Sequence, residues 1–323
     1  MNTLNPQSKK DHAVYPITHS RSGIKVWAVT QLCGFGDLFI ARWAFRQLED
    51  PDGLDLRFIL ADHLAALDSA MGLDGRVHFL NNRDLAIPDL FDVRRRGLFN
   101  ALLSGFKLRQ QMHQVIHEQN IPSETQLVFP FCGLRQRFIS GTQPAFGLPE
   151  TAKNIYLAYL AMFDLEGLGW SLHAAARPGP FLRIGIFPGS RRSMKRIPAS
   201  VVEAVRLSCK ALGLDTQVFM LENESQTFEL QRGITTVPRD PRVMMDTIQG
   251  LDAVISADSM AAHSAEFFGI PVFVFTRQPN PYWLPLSAYR AGWTALFNDD
   301  LKAQPTLHQF LQGGQDQKIA DLS

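Results

Sequence analysis

The chain has 323 residues, 46% of them hydrophobic, 10% aromatic and 20% charged, the profile of a globular protein long enough for two cores. Its 32 basic and 31 acidic residues leave a net charge of +1, which argues against a general nucleic-acid binder. Three scattered cysteines, Cys33, Cys132 and Cys209, offer neither zinc spacing nor a paired framework, so a reduced cytosolic setting fits. No run of about 18 apolar residues is present to span a membrane.

Residues 1–22 are polar, lack the apolar core of a signal peptide, and are expected to form a flexible N-terminal segment. A first α/β unit is expected over 23–165. It opens with a strand at 24–30 that runs into Gly34-Phe35-Gly36-Asp37 and a helix over 38–48. Further strands are expected at 56–61, 76–80 and 126–129, with a helix at 64–71. Between the last two strands lies a long helical pattern, 97–119, preceded by Arg94, Arg95 and Arg96 and carrying Lys107 and Arg109. The ordinary reading is a solvated helix face; the functional one is a surface for an anionic acceptor or for acidic lipid. A helix over 150–163 follows, with Ile155, Leu157, Leu160, Ala161 and Phe163 as its apolar set. Glycine and proline then concentrate in EGLGWSLHAAARPGP, residues 166–180, which reads as a linker.

The α/β pattern restarts over 181–300, with strands expected at 182–187, 216–221, 234–237, 251–255 and 271–275. Helices are expected at 199–212 and 241–249, and a third begins where Asp258 and Ser259 provide an N-cap and Gly269 and Pro271 a stop. His263, four residues after Ser259, is expected on the same outward face of that helix. The PNPYWLP stretch, 279–285, reads as a packed loop, with a flank for a base or sugar as the alternative. A tail over 301–323 is expected to dock a short helix around 306–311. Two Rossmann-like domains joined by a linker would face one another across a cleft.

Four polar clusters fall in turns after strands, where a parallel α/β sheet holds its ligands. Gly34 and Gly36 let backbone approach a ligand, and Asp37 stands at a helix start, where a plain N-cap is the commonest role. Gly189 and Ser190, followed by cations that include Lys195, suit a phosphate cradle or an exposed basic loop about equally. Glu222 and Glu224 follow a strand at the position that binds ribose hydroxyls in Rossmann halves, or are solvated loop carboxylates. Asp258, Ser259 and His263 open a helix whose N-terminus favours phosphate. Neither the GxGxxG fingerprint of a dehydrogenase nor a Walker A spacing is present.

In order and spacing, three stretches resemble the lipopolysaccharide heptosyltransferase family, glycosyltransferase family 9 of GT-B fold. They are VWAVTQLCGFGDLFIARWAFRQL, IGIFPGSRRSMKRIP and ADSMAAHSAEFFGIPVFVF, together spanning roughly residues 25 to 290. By that resemblance Asp37 is the catalytic base and Lys195 the phosphate-binding lysine. Gly189, Ser190, Glu222, Glu224, Asp258, Ser259 and His263 would line the donor site, and Gly34, Gly36 and Arg94 to Arg96 the acceptor side. Met260 stands where the family has glycine, and Ile197 where it has tryptophan.

The resemblance implies inverting transfer of a sugar, typically heptose, from an ADP-linked donor to an anionic saccharide or lipid-linked acceptor. No metal, no further cofactor and no nucleic acid are implied, and the setting would be cytoplasmic with peripheral contact at the inner membrane surface. To act near neutral pH, Asp37 needs burial to outweigh the helix N-terminus, which lowers a carboxyl pKa. The rival from a different class is a sugar-nucleotide-binding homologue without turnover, acting as a regulator or assembly partner.

Overall fold

A computed structural model describes residues 25–31, 34–72, 76–80, 97–118, 120–122, 124–130, 134–149, 151–172, 181–225, 228, 233–299 and 305–313. The expected N-terminal segment, Arg94 to Arg96, the second half of the linker and the end of the tail lie outside the described residues.

Two parallel sheets organise the chain. The first contains β1 (Lys25–Gln31), β2 (Leu54–Ala61), β3 (Arg76–Leu80), β4 (Gln126–Phe129) and β5 (Ala145–Gly147), in the order β3-β2-β1-β4-β5. The second contains β6 (Arg183–Phe187), β7 (Asp215–Leu221), β8 (Ile234–Val237), β9 (Ala253–Ala257), β10 (Val272–Thr276) and β11 (Thr294–Leu296), in the order β11-β10-β9-β6-β7-β8. Every strand pairing in the two sheets is parallel, which calls for helices on both faces, and β1 and β6 at the sheet centres are exposed only at their first residues, Lys25 and Arg183, among the positions described. β9 and β10 are buried at every position, and their runs AVISA and VFVFT carry the apolar, β-branched composition that such burial selects. The strand expected at 251–255 begins instead at Ala253. The Asp252 carboxylate accepts the N–H groups of Leu182 and Arg183 at 3.1 and 2.8 Å, so the register starts beyond it.

The helices around the first sheet are α1 (Phe35–Phe45), α2 (Ala65–Met71), α3 (Leu98–Glu118), α4 (Leu134–Ser140) and α5 (Ile155–Leu165). Those of the second are α6 (Ala199–Ala211), α7 (Glu222–Ser225), α8 (Pro241–Gln249), α9 (Met260–Phe267), α10 (Leu286–Ala291) and α11 (Pro305–Leu311). α5 starts five residues later than the expected 150, because Asn154 takes the N-cap and its Oδ1 accepts from Tyr156 N at 3.0 Å. Its buried set also differs: Tyr156, Tyr159 and Met162 are buried, while Leu157 and Ala161 keep partial exposure.

One hydrophobic core runs through both halves. Trp27, Phe39, Trp43, Phe45, Tyr156 and Phe163 from the first join Met245, Phe267 and Leu286 from the second. α1 is at the centre, buried continuously from Leu38 to Phe45, because one side covers the first sheet and another packs on α9. Phe39 meets Phe267 edge-on at 5.5 Å, and the Arg46 guanidinium lies 4.7 Å over the Phe267 ring. Arg42, buried within α1, pairs with Asp68 of α2 and stacks on Phe58.

Asn154 fastens the halves by a second route. Fully buried, it donates from Nδ2 to the carbonyls of Pro281 at 3.0 Å and Leu284 at 2.9 Å. The 279–285 stretch is therefore a packed loop, with Tyr282 and Trp283 against the shared core. Asn154→Ala removes a cap and leaves two carbonyls without that donor, an expected loss of about 2–4 kcal/mol. Asn154→Asp keeps the cap but sets a carboxylate against the same carbonyls, so denaturant unfolding should find it no more stable than the alanine variant.

Candidate active site

In a sheet ordered 3-2-1-4-5, the chain reverses direction between its first and fourth strands, and ligands bind beyond the carboxyl ends there. Here those points lie between β1 and β4 and between β6 and β9. Three of the four polar clusters follow these strands: Gly34 to Asp37 after β1, Pro188 to Arg196 after β6, and Asp258 with Ser259 after β9. The packing of α1 on α9 brings the two reversal points together, each with a helix N-terminus.

On the first side, Gly34 N donates to Asp37 Oδ2 at 2.7 Å, closing the first turn of α1. Gly36 lies against the His263 ring: a Cβ there would fall 2.9 Å from His263 Cδ2, so any side chain would push the two helices apart. Asp37 retains partial exposure, yet burial by the surrounding protein raises its pKa above the ordinary value. The Gly34 N–H and the charges of Arg191 and Lys195 pull the other way and do not overcome it. Those two cations follow β6 of the second sheet, so the charges acting on Asp37 come from the other half of the chain.

On the second side, the 188–196 loop is closed by Ile197 N donating to Pro188 O at 3.0 Å, with a single turn of 3₁₀ helix at Ser193–Lys195. Ile197 is buried in the core beneath, where an aliphatic side chain fits. Lys195 Nζ meets Asp258 Oδ2 at 2.6 Å, tying this loop to the start of α9. Ser190 is buried, and its carbonyl accepts from Arg196 Nε at 3.1 Å. Glu222 and Glu224 sit in the short helix α7 rather than a loop, and they part company. Glu222 is exposed; Glu224 is buried against Gly189, where a Cβ would collide with its carboxylate. Burial raises the Glu224 pKa, with Arg196 and Arg239 opposing.

Ser259 occupies the N-cap position of α9, but no side chain caps the helix, and its Oγ lies 3.3 Å from that of Ser256. The positive end of the α9 dipole is thus not neutralised by a capping side chain. Met260, the first residue of the helix, packs against the hydrophobic cores of both halves. His263 does not share an outward face with Ser259. It is buried, and its Nδ1 bonds the Tyr156 hydroxyl at 3.0 Å. Burial lowers its pKa to about 4, with Asp258 raising and Lys195 lowering it, so the imidazole is neutral in the ordinary range.

Sequence reasoning missed Tyr156, whose only signal was a polar tip within an apolar helix, and Glu266. The latter is buried with a raised pKa, and it accepts from Ser287 N at 3.1 Å. Cys209 is buried and its thiol is pushed up to about 12, which leaves it inert. Among the described residues, no group of three or more His, Cys, Asp or Glu side chains is assembled to hold a metal.

His263 generates a pH prediction. Its folded pKa of about 4 lies below the unfolded 6.5, so the unfolded chain binds the extra proton first. Stability is then retained above pH 6.5 and lost as pH falls towards 4, by about 3 kcal/mol for this group. Asp37, Glu224 and Glu266, with raised values, act in the opposite direction in wild type and variant alike. His263→Gln should therefore flatten the acid limb of denaturant stability relative to wild type; equal slopes would contradict a neutral buried imidazole.

Comparison with known proteins places this geometry. No protein-family model and no curated protein matches the chain. Solved structures do. A glycosyl transferase family 9 protein from Veillonella parvula superposes with a TM-score of 0.57 at 13% identity, over 84% of this chain and 86% of that one. The E. coli heptosyltransferase WaaC with ADP gives 0.54 at 10% identity, over 80% and 90%. The same enzyme with ADP-2-deoxy-2-fluoro heptose gives 0.55 at 10% identity, over 84% and 92%. The two parallel sheets and their helices are thus the GT-B fold of these glycosyltransferases, as the sequence motifs led us to expect.

Proposed function

We propose that the protein is an inverting glycosyltransferase that moves a sugar, most simply heptose, from an ADP-linked donor to a saccharide acceptor of lipopolysaccharide type. The observation that carries this reading is electrostatic: Asp37 at one reversal point lies in the field of Lys195 and Arg191 at the other. A base and a phosphate cradle facing across a cleft are what glycosyl transfer from a diphosphate requires. The ADP and ADP-sugar bound to the E. coli enzyme of like fold support the donor class.

In this reading an acceptor hydroxyl attacks the anomeric carbon while Asp37 takes its proton. A carboxylate with a raised pKa is the stronger base for that transfer. The glycosyl–oxygen bond breaks, and negative charge grows on the departing diphosphate. Lys195, Arg191 and the uncapped N-terminus of α9 would stabilise that charge, and the backbone at Gly189 and Ser190 would cradle it. Asp258 would hold Lys195 in position, and Glu224 would meet the ribose hydroxyls. Glu222, exposed at the start of α7, would lie at the edge of this pocket. Ser259 would lend its hydroxyl to the phosphate, while His263 would act through its contact with Gly36 rather than on the donor directly.

Gly34 and Gly36 would border the acceptor, with Arg94, Arg95 and Arg96 meeting its negative charge. The donor is a substrate, so no resident cofactor enters. The shared core, which keeps α1 on α9, would exclude water from the donor.

The test is Asp37→Asn. Transfer to a saccharide acceptor should fall about 100-fold or more, while donor affinity stays near that of wild type. Unchanged turnover would remove Asp37 as the base. Donor binding by wild type without turnover on any acceptor would favour the non-catalytic homologue.

A further inference from the structure

The Tyr156 hydroxyl lies 3.0 Å from His263 Nδ1, a contact between the two halves beside the turn that bears Asp37. Tyr156 has no exposed surface, and two neighbours fix its place. Trp43 of α1 meets the phenol ring edge-on at 4.8 Å, and the Asn154 cap accepts the Tyr156 backbone N–H at 3.0 Å. Another edge of the His263 ring is against Gly36, where a Cβ would fall 2.9 Å from Cδ2 and 3.7 Å from Nε2. Nδ1 therefore faces the buried phenol, and Nε2 lies at the first turn of α1, where Asp37 is the next residue after Gly36.

The phenol decides which ring nitrogen holds the proton. A buried hydroxyl without an acceptor is costly, and among the described residues the Tyr156 hydroxyl bonds only His263 Nδ1. A proton on Nδ1 would leave the phenolic O–H with nothing to donate to. Nδ1 is thus the accepting nitrogen, and the neutral ring carries its proton on Nε2. Burial pushes the Tyr156 hydroxyl well above its ordinary range, so it keeps the proton it donates. A donor on Nδ1 also opposes a second ring proton, which would have to displace it. The charged groups around the ring are mixed. Asp258 at the start of α9 favours an imidazolium, and Lys195 from the 188–196 loop disfavours it. Glu266, also on α9, acts on the Tyr156 hydroxyl, and α1 contributes Gly36 with Asp37 after it. Arg191 and Lys195 already act on Asp37, so an imidazolium against Gly36 would add a third positive charge there.

We propose that Tyr156 is a positioning residue for the base. By donating to Nδ1 it fixes His263 as the neutral Nε2–H tautomer and keeps that third charge away from Asp37. An imidazolium in this place would draw the Asp37 carboxyl down and make it a poorer proton acceptor. The role rests on the reading of Asp37 as the base, but the coupling from Tyr156 through His263 to Asp37 is measured without turnover.

The experiment is nuclear magnetic resonance on the full chain. Long-range proton–nitrogen correlations at neutral pH should show His263 Nδ1 without a proton and Nε2 with one. In Tyr156→Phe the imidazole should titrate higher by about one unit. The Asp37 carboxyl, followed by its carbon shift, should then titrate lower than in wild type. Combining His263→Gln with Tyr156→Phe removes the group that can become charged, so Asp37 should return to its wild-type titration. A ring proton on Nδ1 in wild type, an unmoved Asp37 in Tyr156→Phe, or an Asp37 lowered equally in the double variant overturns the proposal. The first of these needs no variant, so it decides the matter should Tyr156→Phe fail to fold. Full turnover by Asp37→Asn, with the titrations as expected, would leave this coupling intact and overturn only the reading of Asp37 as the base.

Discussion

The packing of α1 against α9 is the contact on which the rest of the molecule depends. Each helix follows a strand at the reversal point of its own sheet, so pressing the two together sets two helix N-termini side by side. The contact tolerates little variation. Gly36 has no room for a Cβ against His263, and His263 is held from behind by the Tyr156 hydroxyl. Tyr156 in turn stands in α5, whose cap residue Asn154 grips the 281–284 loop of the other half. Hydrogen bonds thus link His263 through Tyr156 and Asn154 to the 281–284 loop, and Phe39, Phe267 and Met260 pack in the same shared core.

That arrangement sets the electrostatics of the cleft. Two helix N-termini and a pair of cations would by themselves depress a carboxylate pKa. The Asp37 carboxyl nevertheless rises, because the same packing removes water from it. Lys195 is balanced in this structure by Asp258, which couples the 188–196 loop to α9. The groups fall into two roles. Asp37 and Lys195 keep partial exposure and Arg191 is exposed, whereas His263 and Tyr156 are buried between the halves and Glu266 is buried against Ser287.

Much of this was legible in the amino-acid sequence. Continuous apolar runs such as VFVFT announce buried parallel strands, and three polar clusters fell after the strands that flank the reversal points. What was hidden depends on contacts distant in sequence. Nothing local tells that Gly36 faces His263, 227 positions on, or that Glu224 folds under Gly189 while Glu222 stays in water. For α5, Pro149 is the stronger local start signal, yet the helix begins at Ile155 because Asn154 caps it. β5 and β11 are three residues each, too short to carry a period. For α3 the periodicity was correct, but which face the sheet would cover could not be read from the helix alone.

The most direct test of the account is a thermal-shift titration with ADP, UDP, GDP and CDP on wild type and Lys195→Ala. If the cleft is a diphosphate site, ADP should raise the melting temperature selectively, corresponding to about 2.7 kcal/mol at a hundredfold excess over Kd. That shift should be largely lost in the variant. Absence of a shift with every nucleotide, or an equal shift in both proteins, would contradict the assignment of Lys195 and the α9 N-terminus to a nucleotide donor.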